Sequence, residues 1–590
     1  MATAIGDHTR DSSDPQPSRT EAPAAEEPMT HRQRLEALVG LLLGMFVAFL
    51  SSTIVSNALP VIITDLHGNQ NQYTWVVTAT LLASTATTPI WGKLSDLISK
   101  KLLVQASLVL FTLGSVLAGL SQSVAMLIGF RVIQGLGLGG LQALVVIVIA
   151  TMFSPRERGR YQGPIAAVMS IATVAGPLIG GVIVDTSWLG WRWTFYVCVP
   201  LAVIALLVIQ RTLNLPVLRK QVHVDYLGAL LIAAGVSTLL IWVTLAGNSF
   251  DWVSPISFGL VALGVVILAA AIAVEMRAVD PIIPLRLFRD RTTALATLAS
   301  ISVGVALFGG AVFLGQYFQI ARGYSPTAAG LLTLPMIVGS MLSATISGAL
   351  ITRFGRWKAY LVAGSIAMTV GFGLLATIDA HTDMVVIGCF LFILGVGMGM
   401  TMQNLVLAVQ NNVTPDDLGA ATSTVTFFRS LGGAAGVSVL GAVLSNHVTD
   451  LIAKALTALG ITTTQSGGAG LANLNELPAP IAEIVRGAYG DGTARIFLIA
   501  AVMAGLSVIA ILAIKEVALR TESADEQRRS AHTALQDAPI SERSNNTEVG
   551  AIAHGSSTVA ESGSTTPASA GSSDPSRTSD TLSPSDTLSR

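Results

Sequence analysis

Two arginines that could bind an anionic or polar group, Arg131 and Arg429, lie inside long apolar stretches of this sequence. An arginine at the centre of a bilayer costs about 2.5–3.5 kcal/mol on insertion scales, so it must face protein or a water-filled cavity. The alternative is a side chain that extends to the lipid headgroups. Gln134 and the glycines that follow Arg131 favour a position between helices. This pattern predicts polar recognition inside a membrane domain.

Residues that carry enzyme chemistry are scattered along the chain. No paired acids occur at helical spacing, and the cysteines Cys198 and Cys389 lie in separate apolar runs. A membrane-embedded enzyme acting on lipid would need clustered acids, a metal site or an activated nucleophile. We therefore expect no catalytic residues, no metal and no cofactor, with such a lipid-modifying enzyme as the alternative. The histidines at separate span ends are His67, His223, His381 and His447.

The composition indicates a membrane protein. Of the 590 residues, 52% are hydrophobic and 12% are charged, whereas a soluble domain carries about 25% charged residues. The formal net charge is −1, so no basic excess predicts a nucleic-acid partner. Residues 1–30 are polar and acidic, which is not the pattern of a cleaved signal peptide. The lipid bilayer is the expected surrounding of most of the chain.

Apolar runs alternate with short polar breaks from about residue 31 to 520. A bilayer is crossed by about 20 apolar residues in a helix, the open element that satisfies its own backbone in lipid. The sequence therefore predicts an all-α polytopic membrane protein with fourteen transmembrane helices. The predicted spans are 36–62, 73–92, 102–120, 123–150, 161–184, 193–212, 226–246, 254–275, 293–318, 327–351, 358–377, 384–409, 420–445 and 495–514.

Lysine and arginine fall mainly in alternate loops, and the side that carries them is normally cytoplasmic. The other loops hold few cations, and one basic-side loop breaks the pattern with Asp416 and Asp417. The asymmetry predicts an even number of spans with both termini in the cytoplasm. The Ser- and Thr-rich segment 521–590 reads as a disordered cytoplasmic tail, and 446–494 as a long external loop. The basic loops contain Lys93, Lys100, Lys101, Arg156, Arg158, Arg160, Arg211, Arg219, Lys220, Arg277, Arg286, Arg289, Arg291, Arg353, Arg356 and Lys358.

One charged loop occurs twice. An acid in such a loop can meet a neighbouring helix terminus, and ordinary positive-inside charge is the alternative. Two copies indicate two related halves, a design typical of transporters. The first copy, between spans 2 and 3, contains Gly92, Asp96, Lys100 and Lys101. The weaker second copy contains Gly348, Arg353, Arg356 and Lys358, with Thr352 in place of the acid.

Glycine-rich segments lie inside two spans. The run from Gly135 to Gly140 matches the dinucleotide pattern G-x-G-x-x-G, but no strand precedes it, and close helix packing explains it better. Gly176 and Pro177 in span 5 predict a kinked helix that another helix approaches closely. Generic packing of small residues is the alternative for this segment.

The charged loop, the Arg131 segment and the Gly176-Pro177 segment resemble, in this order, signatures of the major facilitator superfamily, and the last is typical of its exporters. Other segments are similar to its fourteen-span drug:proton antiporters over roughly residues 36–520. These segments are Trp191-Arg192-Trp193 with Pro200, Asp225-Tyr226-Leu227-Gly228, Pro281-Ile282-Ile283-Pro284-Leu285 with Leu287-Phe288-Arg289, Gln319 to Pro335, and Phe427-Phe428-Arg429 with Gly432-Gly433.

The resemblance implies the major facilitator fold, in which two six-helix bundles surround a central cavity and rock against each other. The bundles would occupy residues 36–212 and 292–520, with two inserted helices and a linker at 213–291 and a disordered tail at 1–35. The residues implied for the conformational switch are Gly92, Asp96, Lys100, Lys101, Gly176, Pro177, Arg353 and Arg356.

The first span departs from the family pattern, because Ser51 occupies the position where an aspartate is usual. Any proton coupling would then use a carboxylate at the rim, such as Asp65. Helix–helix hydrogen bonding is the alternative role of each polar residue in the implied cavity. The cavity residues are Ser51, Thr53, Asn57, Arg131, Gln134, Gln316, Tyr317, Gln319, Gln403, Asn404 and Arg429.

These observations predict a monomeric secondary transporter of the cytoplasmic membrane that exports small amphipathic molecules, with protons as the coupling ion. An exporter of one dedicated metabolite or lipid is the nearer alternative. A sensor or scaffold would carry a folded cytoplasmic domain, which the composition of the tails does not indicate.

Overall fold

A computed structural model describes residues 29–68, 70–186, 188–215, 225–247, 250–278, 280–324, 326–458, 478–524, 526–527 and 530. Within these ranges the chain forms helices joined by short loops, and an isolated β-bridge joins Ala246 to Phe250. The helices are α1 His31–Asp65, α2 Gln70–Leu97, α3 Lys100–Gly119, α4 Val124–Met152, α5 Pro155–Arg158, α6 Gln162–Asp185, α7 Trp193–Tyr196, α8 Cys198–Thr212, α9 Tyr226–Leu245, α10 Pro255–Glu275, α11 Arg291–Gln316, α12 Pro326–Leu332, α13 Leu334–Phe354, α14 Lys358–Leu375, α15 Met384–Asn412, α16 Leu418–Ala458 and α17 Ala479–Leu512.

Polar residues cap the helices where the apolar runs begin. Ser123, Asp225 and Asp290 each accept a hydrogen bond from a backbone N–H in the first turn of α4, α9 and α11. Such an acceptor satisfies a donor that the helix itself leaves free. At the end of α13, Gly355 adopts a left-handed conformation with φ 71°. The helix limits therefore follow from local sequence.

Twelve helices in the described part of the chain are long and apolar enough to cross a membrane. Two others, α2 with 28 residues and α11 with 26, coincide with the predicted second and ninth spans. The predicted all-helical membrane fold is confirmed. The count of fourteen spans is compatible with these helices and stays a prediction.

Buried apolar side chains form distinct cores. One core draws on α1, α3, α4, α6 and α8, and another on α11 and α13–α17. A smaller cluster joins Leu82 of α2, Val236 of α9, Ala271 of α10 and Phe427 of α16. The hairpin formed by α9 and α10 therefore packs against the seam where α2 meets α16.

Two predicted boundaries need correction. The long external loop at 446–494 is shorter than predicted, because α16 continues to Ala458 and α17 begins at Ala479. The C-terminal tail was placed from residue 521, yet Ser523 and Ala524 are buried. Composition indicates whether a segment is polar, but not whether nearby loops offer it hydrogen bonds. Residues 459–477 and 531–590 lie outside the described residues, as do residues 1–28 of the predicted N-terminal tail.

Candidate functional site

Arg131 belongs to a polar network inside the first half of the chain. Its Nε donates to the Val76 carbonyl oxygen of α2 at 3.3 Å, and its Nη1 donates to Gln134 Oε1 at 2.6 Å. Gln134 Nε2 donates to Ser51 Oγ of α1 at 3.2 Å and to Ser115 Oγ of α3 at 2.7 Å. Arg131 is 5% exposed and Gln134 is 1% exposed. The network joins four helices and satisfies donors that would be costly to leave unpaired in the interior.

Thr53 connects α1 to α6. Its Oγ1 donates to the Ala172 carbonyl oxygen at 3.1 Å, and the Cβ that an alanine would carry at position 176 would collide with the Thr53 side chain. Gly176 therefore permits the close approach of these two helices. The side chains of Asn57 and Pro177, also implied for the site, lie outside the described residues.

We call the end of the molecule that carries Lys93, Arg158 and Arg353 the basic end. Here the Asp96 carboxylate reaches the first turn of α16. Asp96 Oδ1 accepts from Gly419 N and Oδ2 from Ala420 N, both at 2.9 Å. A carboxylate at a helix N-terminus gains from two charge-assisted hydrogen bonds and from the helix dipole. Asp96 thereby links α2 of the first half to α16 of the second.

A second crossing at the basic end joins α5 and α6 to α13 and α15. Arg156 donates to the carbonyl oxygens of Thr352 and Arg353 at 2.9 Å and 3.1 Å. Gln162 Nε2 donates to Asn404 Oδ1 at 2.8 Å, and the buried Arg158 donates to Gln410 Oε1. Beside these contacts the backbone at Gly159 lies so close to the backbone at Gly348 that neither position has room for a Cβ. The two halves are thus in contact at the basic end.

The segment that follows α10, which we call the hairpin linker (residues 276–290), also touches both halves. Lys93 Nζ of α2 lies 3.5 Å from Asp280 Oδ1. Arg286 Nη2 lies 2.7 Å from Asp417 Oδ1, immediately before α16. The hairpin linker therefore crosses the seam beside the Asp96 contact.

Two lysines implied for the switch, Lys100 and Lys101, also bond to backbone carbonyls of the first half. Lys100 Nζ donates to the Ser95 carbonyl oxygen at 2.8 Å. Lys101 Nζ donates to the Gln210 carbonyl oxygen at 2.7 Å, which ties α3 to α8. The side chains of Arg353 and Arg356 are exposed.

Several residues implied for the cavity lie apart from Arg131. Gln316, the last residue of α11, and Gln319, in the π-helical turn that follows (Tyr317–Ala321), are exposed opposite the basic end. Tyr317 is buried there, and its hydroxyl donates to the Asp379 carbonyl oxygen at 2.7 Å. Hydrogen bonds from the His381 N–H and the Thr382 hydroxyl lower the pKa of the Asp379 carboxyl in the same turn.

The remaining implied cavity residues of the second half lie on α15 and α16. Gln403 is partly exposed, whereas Asn404 is fully buried in the contact with Gln162. Arg429 Nη1 donates to the Met402 carbonyl oxygen at 3.4 Å. Asn404 therefore belongs to the closure of the basic end in this structure.

Asp65, the acid expected at the rim, lies at the far end of α1. Its Oδ2 accepts from Trp191 Nε1 at 2.6 Å and lies 3.9 Å from Arg192 Nη1. The Asp65 side chain is 55% exposed. This acid is partnered and lies at the end of the molecule opposite the basic end.

Sequence reasoning missed Gln162, Gln410 and Ser115 as members of these contacts. Arg158 was recognised only as one basic-loop cation among many. Nothing in the local sequence distinguishes it, because its partner Gln410 lies 252 residues away and is defined only by the register of two helices. An amide at the end of an apolar run was the available signal.

A multi-pass helical protein whose two halves meet through polar contacts at one end has the architecture of a secondary transporter. The sequence profile of the Major Facilitator Superfamily matches residues 41–437. The chain belongs to this superfamily, which confirms the family that the motifs resemble.

Curated relatives carry transporter names. A multidrug transporter protein of Bacillus subtilis, MdtP, is 35% identical over 72% of this chain and 79% of its own length. An uncharacterised MFS-type transporter of Mycobacterium tuberculosis is 36% identical over 81% of this chain and 69% of its own. The multidrug resistance protein 3 of Bacillus subtilis is 30% identical over 82% and 96%. The chain is therefore a transporter of the major facilitator type.

Solved structures share the fold at low sequence identity. A proton:xylose symporter, XylE, is 14% identical with a TM-score of 0.58, over 84% of this chain and 99% of that one. The human organic anion transporter MFSD10 is 14% identical with a TM-score of 0.55, over 82% and 99%. These likenesses confirm the predicted major facilitator fold.

Proposed function

We propose that this protein exports small amphipathic molecules across the cytoplasmic membrane by alternating access, coupled to protons. The observation that carries the proposal is the polar closure of the basic end by Asp96, Arg156 and Gln162. Hydrogen bonds to backbone and amide groups can break and re-form as one half rocks against the other. The names of the Bacillus subtilis relatives, a multidrug transporter and a multidrug resistance protein, support drugs as the substrate class.

The basic end faces the cytoplasm in this proposal, because lysine and arginine concentrate there. The described conformation is then closed to the cytoplasm, the state in which an exporter would release its substrate outside. Arg131 and Gln134 would supply polar recognition as the halves separate, and the protein would act as a monomer.

Accumulation of labelled amphiphiles in cells with and without the protein tests this function. We expect lower accumulation with the protein, and we expect a proton uncoupler to remove the difference. Arg131→Ala should abolish the difference at equal membrane level, whereas Arg131→Lys, which keeps the charge without the two-sided donor geometry, should retain part of it. Equal accumulation of every amphiphile with and without the protein would contradict the proposal.

A further inference from the structure

Two carboxyl groups face each other where the inserted hairpin begins and ends, outside both six-helix bundles. Asp225 caps α9, and Glu275 ends α10. A Cβ at Gly228 would lie under 3.0 Å from both Asp225 Oδ2 and Glu275 Oε1, so the two oxygens flank a single glycine. Glu275 is 6% exposed. Adjacent carboxylates in such a place repel each other when both are ionised.

One oxygen of this pair has no donor. Asp225 Oδ1 accepts from Gly228 N at 2.8 Å, but Asp225 Oδ2 is buried and accepts no hydrogen bond from the described residues. Both Glu275 oxygens are engaged, with Ile282 N at 3.1 Å and Ile283 N at 3.2 Å. A proton on Asp225 Oδ2 would create a hydroxyl that can donate toward Glu275 Oε1.

The nearby cations do not neutralise both acids. The Lys93 ammonium on α2 interacts electrostatically with the Glu275 carboxylate, but its Nζ also forms an ion pair with Asp280 of the hairpin linker. Lys93 is 7% exposed. The Asp96 carboxylate, also on α2, accepts hydrogen bonds from the first turn of α16, and Arg286 of the linker forms an ion pair with Asp417. The Lys93 ammonium is therefore shared between Glu275 and Asp280, with Asp225 beside Glu275, and a shared proton relieves the excess negative charge.

We propose that Asp225 and Glu275 form a proton-binding site that controls how firmly the hairpin linker is held across the seam. With one proton on the pair, Glu275 stays an acceptor for Ile282 and Ile283, and the linker remains fixed at Lys93 and Asp417. Loss of that proton to water leaves two adjacent negative charges, which push the ends of α9 and α10 apart and loosen the linker. The proposal deepens the proton coupling of the proposed function by giving it a location.

Chemical labelling of the purified full-length protein in lipid nanodiscs tests the site directly. Dicyclohexylcarbodiimide reacts with protonated carboxyl groups in apolar surroundings, and mass spectrometry locates the adduct. We expect labelling at Asp225 or Glu275 to fall about tenfold between roughly pH 5 and 9. Asp225→Asn removes the like charge, so labelling of Glu275 should then require a lower pH. The exposed Asp383, which caps α15, is the internal control and should not label.

Hydrogen exchange of residues 280–290, corrected for the intrinsic exchange rate, measures how firmly the hairpin linker is fixed in place. Protection should decrease as pH rises in the native protein and should lose this dependence in Asp225→Asn, which mimics the protonated acid. Gly228→Ala displaces both carboxyl groups without changing charge and provides a second variant if Asp225→Asn fails to fold. Absence of labelling at both acids, or an unchanged pH profile in Asp225→Asn, would overturn the proposal. Neither measurement involves export, so a failure of the proposed function would be seen separately.

Discussion

Asp96 binds two consecutive backbone N–H groups of α16 with its two oxygens. In Asp96→Asn one oxygen becomes an NH2 group that cannot accept, and the charge at the helix terminus is lost. We expect the variant to reach the membrane and to favour an open basic end. Because loss of a helix cap costs roughly 1 kcal/mol, the open population should rise about fivefold.

A cysteine at position 423 reports this opening, because Ser423 is fully buried against Gly92. In a background with Cys198→Ser and Cys389→Ser, a membrane-impermeant maleimide applied from the basic end should label Ser423→Cys faster when Asp96 is replaced. Asp383→Asn removes a cap at the opposite end of the molecule and serves as the control. Equal labelling rates in both variants would show that Asp96 does not hold the closure.

Individual residues were predictable from sequence to different degrees. Asp96 and Arg131 are conspicuous in the sequence because a charge in or beside an apolar run costs free energy unless it faces protein or water. The contact between Gln162 and Asn404 was not foreseen, since an amide inside a helix has no signal for the helix it will face. The resemblance groups Gln316 and Gln319 with Arg131, yet both are exposed where α11 ends and its following turn begins, opposite the basic end.

Two elements, α13 and the turn before α6, touch through bare backbone at the basic end. A Cβ at Gly348 would collide with the Gly159 carbonyl, and one at Gly159 with the Gly348 carbonyl. Backbone cannot yield as a flexible side chain can, so Gly348→Ala should keep the two helices apart. We expect faster labelling of Ser423→Cys and a loss of export at unchanged membrane level.

Gly373→Ala is the matched control for this change, because a Cβ at Gly373 of α14 meets nothing within 4 Å. That variant should match the native protein, with any difference favouring greater stability through helix propensity. Native labelling and export in Gly348→Ala would mean that the contact at Gly159 is not part of the transport cycle.

The segment after α17, which we call the C-terminal strap (residues 513–527), crosses the basic end. Trp357 Nε1 donates to the Val517 carbonyl oxygen at 2.9 Å, and Arg34 at the start of α1 lies 3.2 Å from Glu526 Oε1. Partial burial acts to raise the pKa of Glu526, but hydrogen bonds from Ser523 and the Arg34 guanidinium outweigh it and lower the pKa below its ordinary range. The strap thus links the two halves through an acid that titrates.

The sign of the pH effect follows from linkage. A carboxyl with a lowered pKa in the folded state stabilises that state above its unfolded pKa, and the stabilisation is lost as pH falls through the lowered value. Hydrogen exchange of residues 513–527 should therefore rise below about pH 4.5 once the intrinsic rate is removed. The change should stay under about 1 kcal/mol because the Glu526 side chain is half exposed.

Glu526→Gln should remove this acid-dependent part, whereas Glu522→Gln, a neighbouring exposed acid, should leave it intact. An identical acid response in Glu526→Gln would assign the effect to another group.

Helix limits were predictable from the sequence because caps and apolar runs are local signals. The C-terminal strap was not predictable, since its order depends on loops far away in sequence.

Across the whole molecule, the buried charged residues in the described ranges are mostly cations, with Lys93, Arg131 and Arg158 against Glu275. The partners of Arg131 are the Val76 carbonyl and the Gln134 amide, neither of which offsets its charge. Ser51 lies in this network, with its Oγ 3.2 Å from Gln134 Nε2, at the position where the family resemblance predicts an aspartate. A dicationic molecule would thus meet positive charge without a compensating acid in a medium of low dielectric.

We expect the native protein to export neutral, zwitterionic or anionic amphiphiles better than dicationic ones. Ser51→Asp should raise export of a dication relative to a neutral analogue by about tenfold, since a carboxylate beside Arg131 lowers the potential that a second cation meets. Ser51→Asn, similar in size and uncharged, should leave the ratio unchanged. Efflux of a matched dication and neutral pair, with and without an uncoupler, measures the ratio. Strong uncoupler-sensitive export of the dication by the native protein would show that a carboxylate not in contact with Arg131 controls cation selectivity.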